Sequence, residues 1–115
     1  MATSDLAVCQ WDIVVVPFPY SDQLAEKRRP ALIVSHDEFN AATGLLWVVM
    51  ITTSRTKWHG DVSIQDHEAV RLPVPSIIRT AKIATIEASR VLRVAGRLGG
   101  GEVEEVKSAV LSSLT

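Results

Sequence analysis

A single cysteine, Cys9, stands among the 115 residues, which excludes an internal disulfide and any zinc site built on several thiolates. The three histidines, His36, His59 and His67, lack the spacing of a metal-ligand set, so neither a structural metal nor a cofactor is expected. No apolar run approaches the roughly 18 residues of a membrane span, and the N-terminus lacks the charged-then-apolar pattern of a signal peptide. A cytoplasmic protein without membrane association is the expectation. Internal repeats, low-complexity tracts, linkers and coiled-coil heptads are also missing. The net charge is only −1, which argues against a very basic domain that coats nucleic acid without selectivity.

What is present is a hydrophobic content of 47% in a chain long enough for one modest core, so residues 1–115 read as a single soluble domain. The charge, though small in total, is unevenly placed. Residues 1–26 carry four acids and no Lys or Arg, and residues 98–115 carry three acids against Lys107. Residues 27–97 hold eleven of the twelve basic residues against six acids. Ends of −4 and −2 therefore flank a middle of +5, a pattern compatible with selective binding of a polyanion on one face.

Hydrophobic patterning predicts a mainly β chain. Residues 11–18 read as a first strand, and the unbroken run Ile13-Val14-Val15-Val16 implies burial on both sides, with Pro17 and Pro19 limiting pairing at its end. A polar loop is expected over 20–29, a second strand over 31–35, one helical turn over 36–40, a chain reversal at 41–44 and a third strand over 45–53. A loop over 54–60 leads to a short strand at 61–65, then to a possible helical turn at 66–72 ended by Pro73 and Pro75. Residues 76–87 alternate over two faces, neither uniformly apolar, which suggests a curved strand shared between core and cleft. A last strand is expected at 91–98. Beyond Gly99-Gly100-Gly101, Val103, Val106, Val110 and Leu114 recur at helical spacing over 102–114, and Glu102, Glu104 and Glu105 suit the positive end of that helix. Burial of such a stripe contributes on the order of 6–12 kcal/mol before entropy is subtracted.

Two stretches carry candidate chemistry. In Lys27-Arg28-Arg29-Pro30-Ala31-Leu32-Ile33-Val34-Ser35 three cations run into an apolar β segment across a proline. Pro30 fixes its own φ and pushes Arg29 toward an extended backbone, so the Arg29 guanidinium leaves a stiffened point of the chain. In Thr52-Thr53-Ser54 hydroxyls end the third strand, where they can face a cleft. With a positioned guanidinium they would supply several donors to phosphate oxygens, the requirement of a pentacovalent phosphoryl transition state. A bland assignment remains open for both: a solvated hairpin tip, and ordinary β-branched residues before a turn.

With these stretches in view, the chain resembles the MazF/PemK family of toxins from bacterial toxin–antitoxin pairs. The likeness begins at Trp11-Asp12-Ile13-Val14-Val15-Val16-Pro17-Phe18-Pro19-Tyr20, with Trp11 where a glycine is usual. It continues through Lys27 to Ser35, through Val49-Met50-Ile51-Thr52-Thr53-Ser54, and through Ser76-Ile77-Ile78-Arg79 to Ile86. The resemblance implies a compact SH3-like β-barrel with short helices and a C-terminal helix (an α+β fold, mainly β), a homodimer, metal-independent cleavage of single-stranded RNA, and a cognate antitoxin that blocks the site with an extended acidic segment. It places Arg29 on the family's catalytic arginine, Thr52 on its catalytic threonine, and Arg79 on a further active-site arginine of some members. Those members carry an acid two residues later, where this chain has Ala81.

The mechanism that fits is attack by a ribose 2′-OH on its adjacent phosphorus, with Arg29 on the phosphate and Thr52 donating to a phosphoryl oxygen. Arg28, Thr53 and Ser54 would support them. Arginine stays protonated and is a poor base; the base is unassigned, and His36 or His59 could serve, each also readable as an ordinary loop residue. Trp58, between Lys57 and His59 and close to Arg55, could stack a base while the two cations hold the backbone, or equally fold onto the barrel as a loop tryptophan. Two other functions compete: gyrase poisoning, as by the CcdB toxins that share this barrel, and a catalytically inactive nucleic-acid- or protein-binding barrel, which Ala81 makes credible.

Overall fold

Three strands carry the molecule, and each is apolar on both of its faces. The computed structural model describes residues 7–18 and 27–115. In it β1 (Asp12–Phe18), β2 (Lys27–Ile33) and β3 (Leu45–Thr52) lie side by side, and β4 (Asp61–Ser63), β5 (Ile77–Glu87) and β6 (Arg93–Arg97) complete one antiparallel sheet in the order β4-β5-β3-β2-β1-β6. The sheet curls into a half-barrel, with α1 (Asp37–Thr43) between β2 and β3 and α2 (Gly100–Leu114) at the C-terminus. The mainly β fold with a terminal helix is as the sequence leads one to expect.

Period-two alternation sorts the central side chains into two cores. Ile13, Leu32, Val49 and Ile51 enter the first, with Val62, Ile64, Val70, Leu72, Ile78 and Val106. Val14, Val16, Ala31, Ile33, Leu46 and Val48 enter the second, closed by Val91. The continuous apolar run of the first strand is thus explained by a sheet covered on both sides.

Two irregularities produce the curl. Between β1 and β6, Ile13 pairs with Gly96 but Val14 pairs with Val94, leaving Ala95 as a bulge. Between β3 and β5, Met50 pairs with Arg79 while Val49 pairs with Ile83, so residues 80–82 stand opposite no β3 residue. Such insertions bend a strand and increase its twist. The regular alternation expected through 76–87 therefore breaks, and Ile78, Arg79 and Thr80 are buried in succession.

Several boundaries differ from the sequence expectation. The second strand begins at Lys27, not at 31, because Arg29 and Pro30 are already extended and pair with Val16 and Val15. Of the expected loop over 20–29, residues 20–26 lie outside the described residues. The first helix runs on to Thr43 and stops at Gly44. Residues 66–72 form a hydrogen-bonded turn instead of a helical one, because Asp66 Oδ1 takes the backbone N–H groups of Glu68 and Ala69 at 3.1 and 3.2 Å. Helix α2 starts at Gly100, and its stripe is shorter than the spacing suggested. Val106 is fully buried and Val103 and Val110 pack on the first core, but Leu114 is 76% exposed.

Trp11 has φ of 75°, the left-handed region that disfavours a β-carbon. The resemblance led one to expect glycine at this position, and the backbone supplies the reason. The indole packs against the first core, which offsets the conformational cost. A tighter constraint sits at Gly96, where an added β-carbon would lie 2.1 Å from the Val70 carbonyl oxygen. Gly96→Ala should therefore destabilise the protein by at least about 1–3 kcal/mol, read as a lower urea midpoint with an unchanged denaturant slope.

Candidate functional site

The three cations of the N-terminal stretch are strand residues, and alternation divides them. Lys27, Arg28 and Arg29 pair with Phe18, Pro17 and Val16. Arg29 shares the face of Ala31 and Ile33, which enter the second core, while Arg28 shares the face of Leu32, which enters the first. On β3 the same rule puts Thr52 with Val48 and Met50, and Thr53 with Val49 and Ile51. The β2–β3 pairs run from Ile33↔Val48 to Ala31↔Met50. Continued two positions, that register sets the half-buried Arg29 opposite Thr52, and one further sets Arg28 opposite Thr53. Side chains opposite each other on an antiparallel pair have β-carbons about 4.5–5.5 Å apart. Thr52 Oγ1 accepts the Ser54 N–H at 3.1 Å and Ser54 Oγ accepts the Thr56 N–H at 3.2 Å. Both oxygens shape the turn as acceptors, and the Thr52 hydroxyl proton can still be donated outward.

Arg79 occupies a different kind of position. Its side chain is 6% exposed, and Nη2 lies 3.0 Å from Oδ2 of Asp61, whose side chain is 1% exposed. Nε donates to Asp61 Oδ1 at 3.3 Å, and Nη2 also donates to the Thr56 carbonyl. The guanidinium carbon lies 4.3 Å from the centroid of the Trp58 ring, with Lys82 Nζ at 5.3 Å. The Trp58 backbone N–H donates to Asp61 Oδ2 at 2.8 Å. Arg79 thus ties the 56–61 loop to the sheet, a supporting role that leaves its guanidinium turned inward. Gly60, with φ of 86°, completes the junction: its carbonyl accepts the Thr80 hydroxyl at 2.8 Å, and a β-carbon would lie 2.6 Å from that oxygen. Burial works to raise the Asp61 pKa, but the Arg79 hydrogen bond, the Trp58 N–H and the Arg79 and Lys57 charges outweigh it and hold it below the usual value.

On the Arg28 face two cavities meet. One of about 460 Å³ is lined by Arg28, Arg71, Arg93, Thr53 and Ser76 over an apolar floor that includes Val15, Leu72 and Val74. The other, of about 730 Å³, is lined by Ser54, Arg55 and Lys57 together with Thr53, Val74 and Ser76. The shared lining makes them one trough with, among the described residues, five cations and no carboxylate, on a chain whose net charge is −1. Such a concentration of one sign focuses the field on a polyanion.

The structure therefore separates the residues singled out in the sequence into three groups. Arg28, Thr53, Ser54, Arg55 and Lys57 line the trough. Arg29 and Thr52 stand one residue away on the same strands, facing the other side of the sheet. Arg79 and Trp58 form the loop support, and the Trp58 ring, 42% exposed, lies against the two cations named above and outside the trough lining. Among the histidines, His36 is misplaced for the role considered above. Its Nδ1 accepts the Glu38 N–H at 3.1 Å as the N-cap of α1, beyond the far end of β2 and about 20 Å along the chain from Arg29. His59 is an exposed residue of the 56–61 loop. Among the described residues no His, Asp or Glu lines the trough, and no group of three His, Cys, Asp or Glu is arranged to hold a metal. No described helix is long and apolar enough to cross a membrane. Arg71, Ser76 and Arg93 were not anticipated. Arg93 alternates with Leu92 and Val94 and was readable as an outward strand residue, whereas Arg71 lies in a turn whose shape no local pattern reveals.

With this geometry in hand, comparison with known proteins is informative. Residues 9–114 match the family model described as PemK-like, MazF-like toxin of type II toxin-antitoxin system. Among solved structures, MazF from Deinococcus radiodurans superposes with a TM-score of 0.77 at 21% identity, over 96% of this chain and 98% of that one. The Mycobacterium tuberculosis toxin MazF-mt6 gives 0.74 at 20% identity, over 90% and 95%. An endoribonuclease in complex with its cognate antitoxin from Mycobacterial species gives 0.76 at 18% identity, over 94% and 95%. At these identities the structural likeness establishes the fold. The sequence matches no curated protein.

The buried pair at the trough's flank makes a measurable contribution. Asp61→Asn leaves the Arg79 charge buried without its counter-ion, and the expected loss is about 3–5 kcal/mol. Because the folded-state pKa of Asp61 is lowered, its contribution is complete above the unfolded carboxylate pKa of about 3.9 and falls away as pH drops through the folded value. Urea titrations should show wild type well above Asp61→Asn at neutral pH, with the gap closing below about pH 4. A gap independent of pH would mean that the carboxylate charge is not its source.

Proposed function

The chain belongs to the PemK-like, MazF-like toxin family of type II toxin–antitoxin systems, and on that premise we propose that it is an endoribonuclease that cleaves single-stranded RNA without a metal ion. The observation that carries this reading is the trough of five cations, which holds no carboxylate among the described residues and ends at the strand ends where Arg29 and Thr52, by continuation of the β2–β3 register, share the opposite face of the sheet. RNA presents a phosphate per nucleotide, and arginines with hydroxyls between them supply donors along such a chain.

The reaction starts from a nucleophile already attached to its electrophile. The 2′-oxygen forms a bond to the adjacent phosphorus, the bond from phosphorus to the 5′-oxygen breaks, the 2′-OH proton leaves and a proton reaches the departing oxygen. The products are a 2′,3′-cyclic phosphate and a 5′-OH. Tethering removes the need to assemble a second reactant. Arg29 holds the non-bridging oxygens as negative charge grows on them and stands near the leaving group. Thr52 donates its hydroxyl proton to one of the same oxygens. With no base assigned beside this pair, most of the acceleration rests on this charge stabilisation.

The partners follow the same reading. A cognate antitoxin with an extended acidic segment would occupy the basic trough and exclude RNA; neighbouring structures include an endoribonuclease with its cognate antitoxin and MazE-MazF of Deinococcus radiodurans. A homodimer, working in the cytoplasm, belongs to the proposal. Exposed Trp47, Ile83, Leu111 and Leu114 offer apolar surface for self-association. A binding barrel that holds RNA without cutting it is the second reading, favoured by Ala81.

Incubation of the purified protein with a long mixed-sequence RNA in excess chelator tests the choice. Fragments ending in 2′,3′-cyclic phosphate are expected, and intact RNA would leave the binding reading. Arg29→Ala should lower the cleavage rate by about 100–1,000-fold while the circular dichroism spectrum is kept, because one transition-state donor is lost. Wild-type activity in that variant would remove Arg29 from the mechanism.

A further inference from the structure

The geometry points to Arg28, Arg71 and Arg93 as a second RNA subsite, around the strand ends from the face of Arg29 and Thr52, one that grips the backbone of nucleotides some way along the strand from the cleaved phosphate and lays a base on the apolar floor between them. The inference rests on the RNA-cleaving reading for the identity of its occupant. Its support is independent of Arg29 and Thr52.

The first support is placement. In the sheet, Arg93 pairs with Val15 and Val15 pairs with Pro30, so these three form a row across β6, β1 and β2, with Arg28 two residues before Pro30 on the same face. Arg71 comes to this cavity from the 66–72 turn. Three guanidinium groups thus approach one space from three separate parts of the chain. A free phosphate would not need the apolar floor of Val15, Leu72, Val74 and Leu92, whereas a nucleotide presents a base to that floor and a phosphate to the rim. The continuation into the Arg55 and Lys57 cavity calls for a ligand longer than one nucleotide.

The second support is the backbone of Arg71. Its φ is 64°, a conformation that glycine or asparagine adopts more readily, at a cost of roughly 1–2 kcal/mol for an ordinary side chain. The turn itself accounts for the geometry: the N–H of Arg71 donates to Glu68 at 3.0 Å, that of Leu72 donates to His67 at 2.8 Å, and Val70 and Leu72 are buried on either side. None of these bonds uses the Arg71 side chain, which is exposed. The chain therefore holds a guanidinium at a position where a smaller residue would be more stable, and it aims that group into the trough.

This combination gives a test that separates binding from folding. A single-stranded RNA with 2′-O-methyl groups has no nucleophile, so its binding can be followed by fluorescence anisotropy whether or not the protein cleaves. Arg71→Gly should be as stable as wild type or more so, yet bind this RNA about eightfold more weakly at 50 mM salt, the effect of one lost phosphate contact. Arg71→Gly combined with Arg93→Ala should lower the slope of log affinity against log salt by about 1.4, since each contact to a single strand contributes about 0.7. Unchanged affinity and slope in both variants would overturn the subsite. So would a wild type that binds polyglutamate through Arg71 but binds no RNA, which would assign the trough to an acidic protein partner. Tight, Arg71-dependent binding without cleavage of unmodified RNA would sustain the subsite and refute the nuclease.

Discussion

Burial of β1, β2 and β3 on both faces is the constraint on which the other features depend. Because side chains alternate strictly along a strand, a register that satisfies two cores at once allows no slip: a shift of one residue would exchange every member of one core with the other. Ile13 and Val14, Leu32 and Ile33, Val49 and Val48 each point to opposite cores. The same alternation continues past the apolar segments to the strand ends. There it assigns Arg28 and Thr53 to one face and Arg29 and Thr52 to the other. The site is in this sense an extension of the core's register into residues that the core does not contain.

Around that frame the cations serve unlike purposes. Arg79 is enclosed with Asp61 and stiffens the loop that carries Trp58. In a low-dielectric setting such a pair ties chain segments together more than it adds net stability. Arg28, Arg71, Arg93, Arg55 and Lys57 are kept at the rim of the trough, which no carboxylate of the described residues lines. A chain of net charge −1 can thereby present a strongly cationic groove while three of its acids, Glu102, Glu104 and Glu105, stand on α2.

Much of the architecture was legible in the chain. The apolar run Ile13-Val14-Val15-Val16 announced a doubly buried strand, and the valines at 103, 106 and 110 announced the helix. Leu114 follows the same spacing but is exposed, because spacing records which residues share a face and not how far the sheet beneath them extends. Residues 66–72 looked helical, yet Asp66 captures the N–H groups of Glu68 and Ala69, a local competition that apolar patterning does not register. His36 was legible as a histidine near a helix start; only its bond to the Glu38 N–H makes it a cap.

The chain by itself determined which segments pair and which residue types stand at the strand ends, because proline, β-branching and alternation act over a few neighbouring residues. It also determined the chemistry on offer, guanidinium and hydroxyl groups beside a stiffened backbone. Which of those groups share a cavity was decided by tertiary structure alone. The trough takes Arg93 from the last strand, Arg28 from the second and Arg71 from a turn, and the bulge at residues 80–82 lets β5 bend away from the line of β3. Those relations depend on register and curvature across distant segments, and no local pattern in the sequence records them.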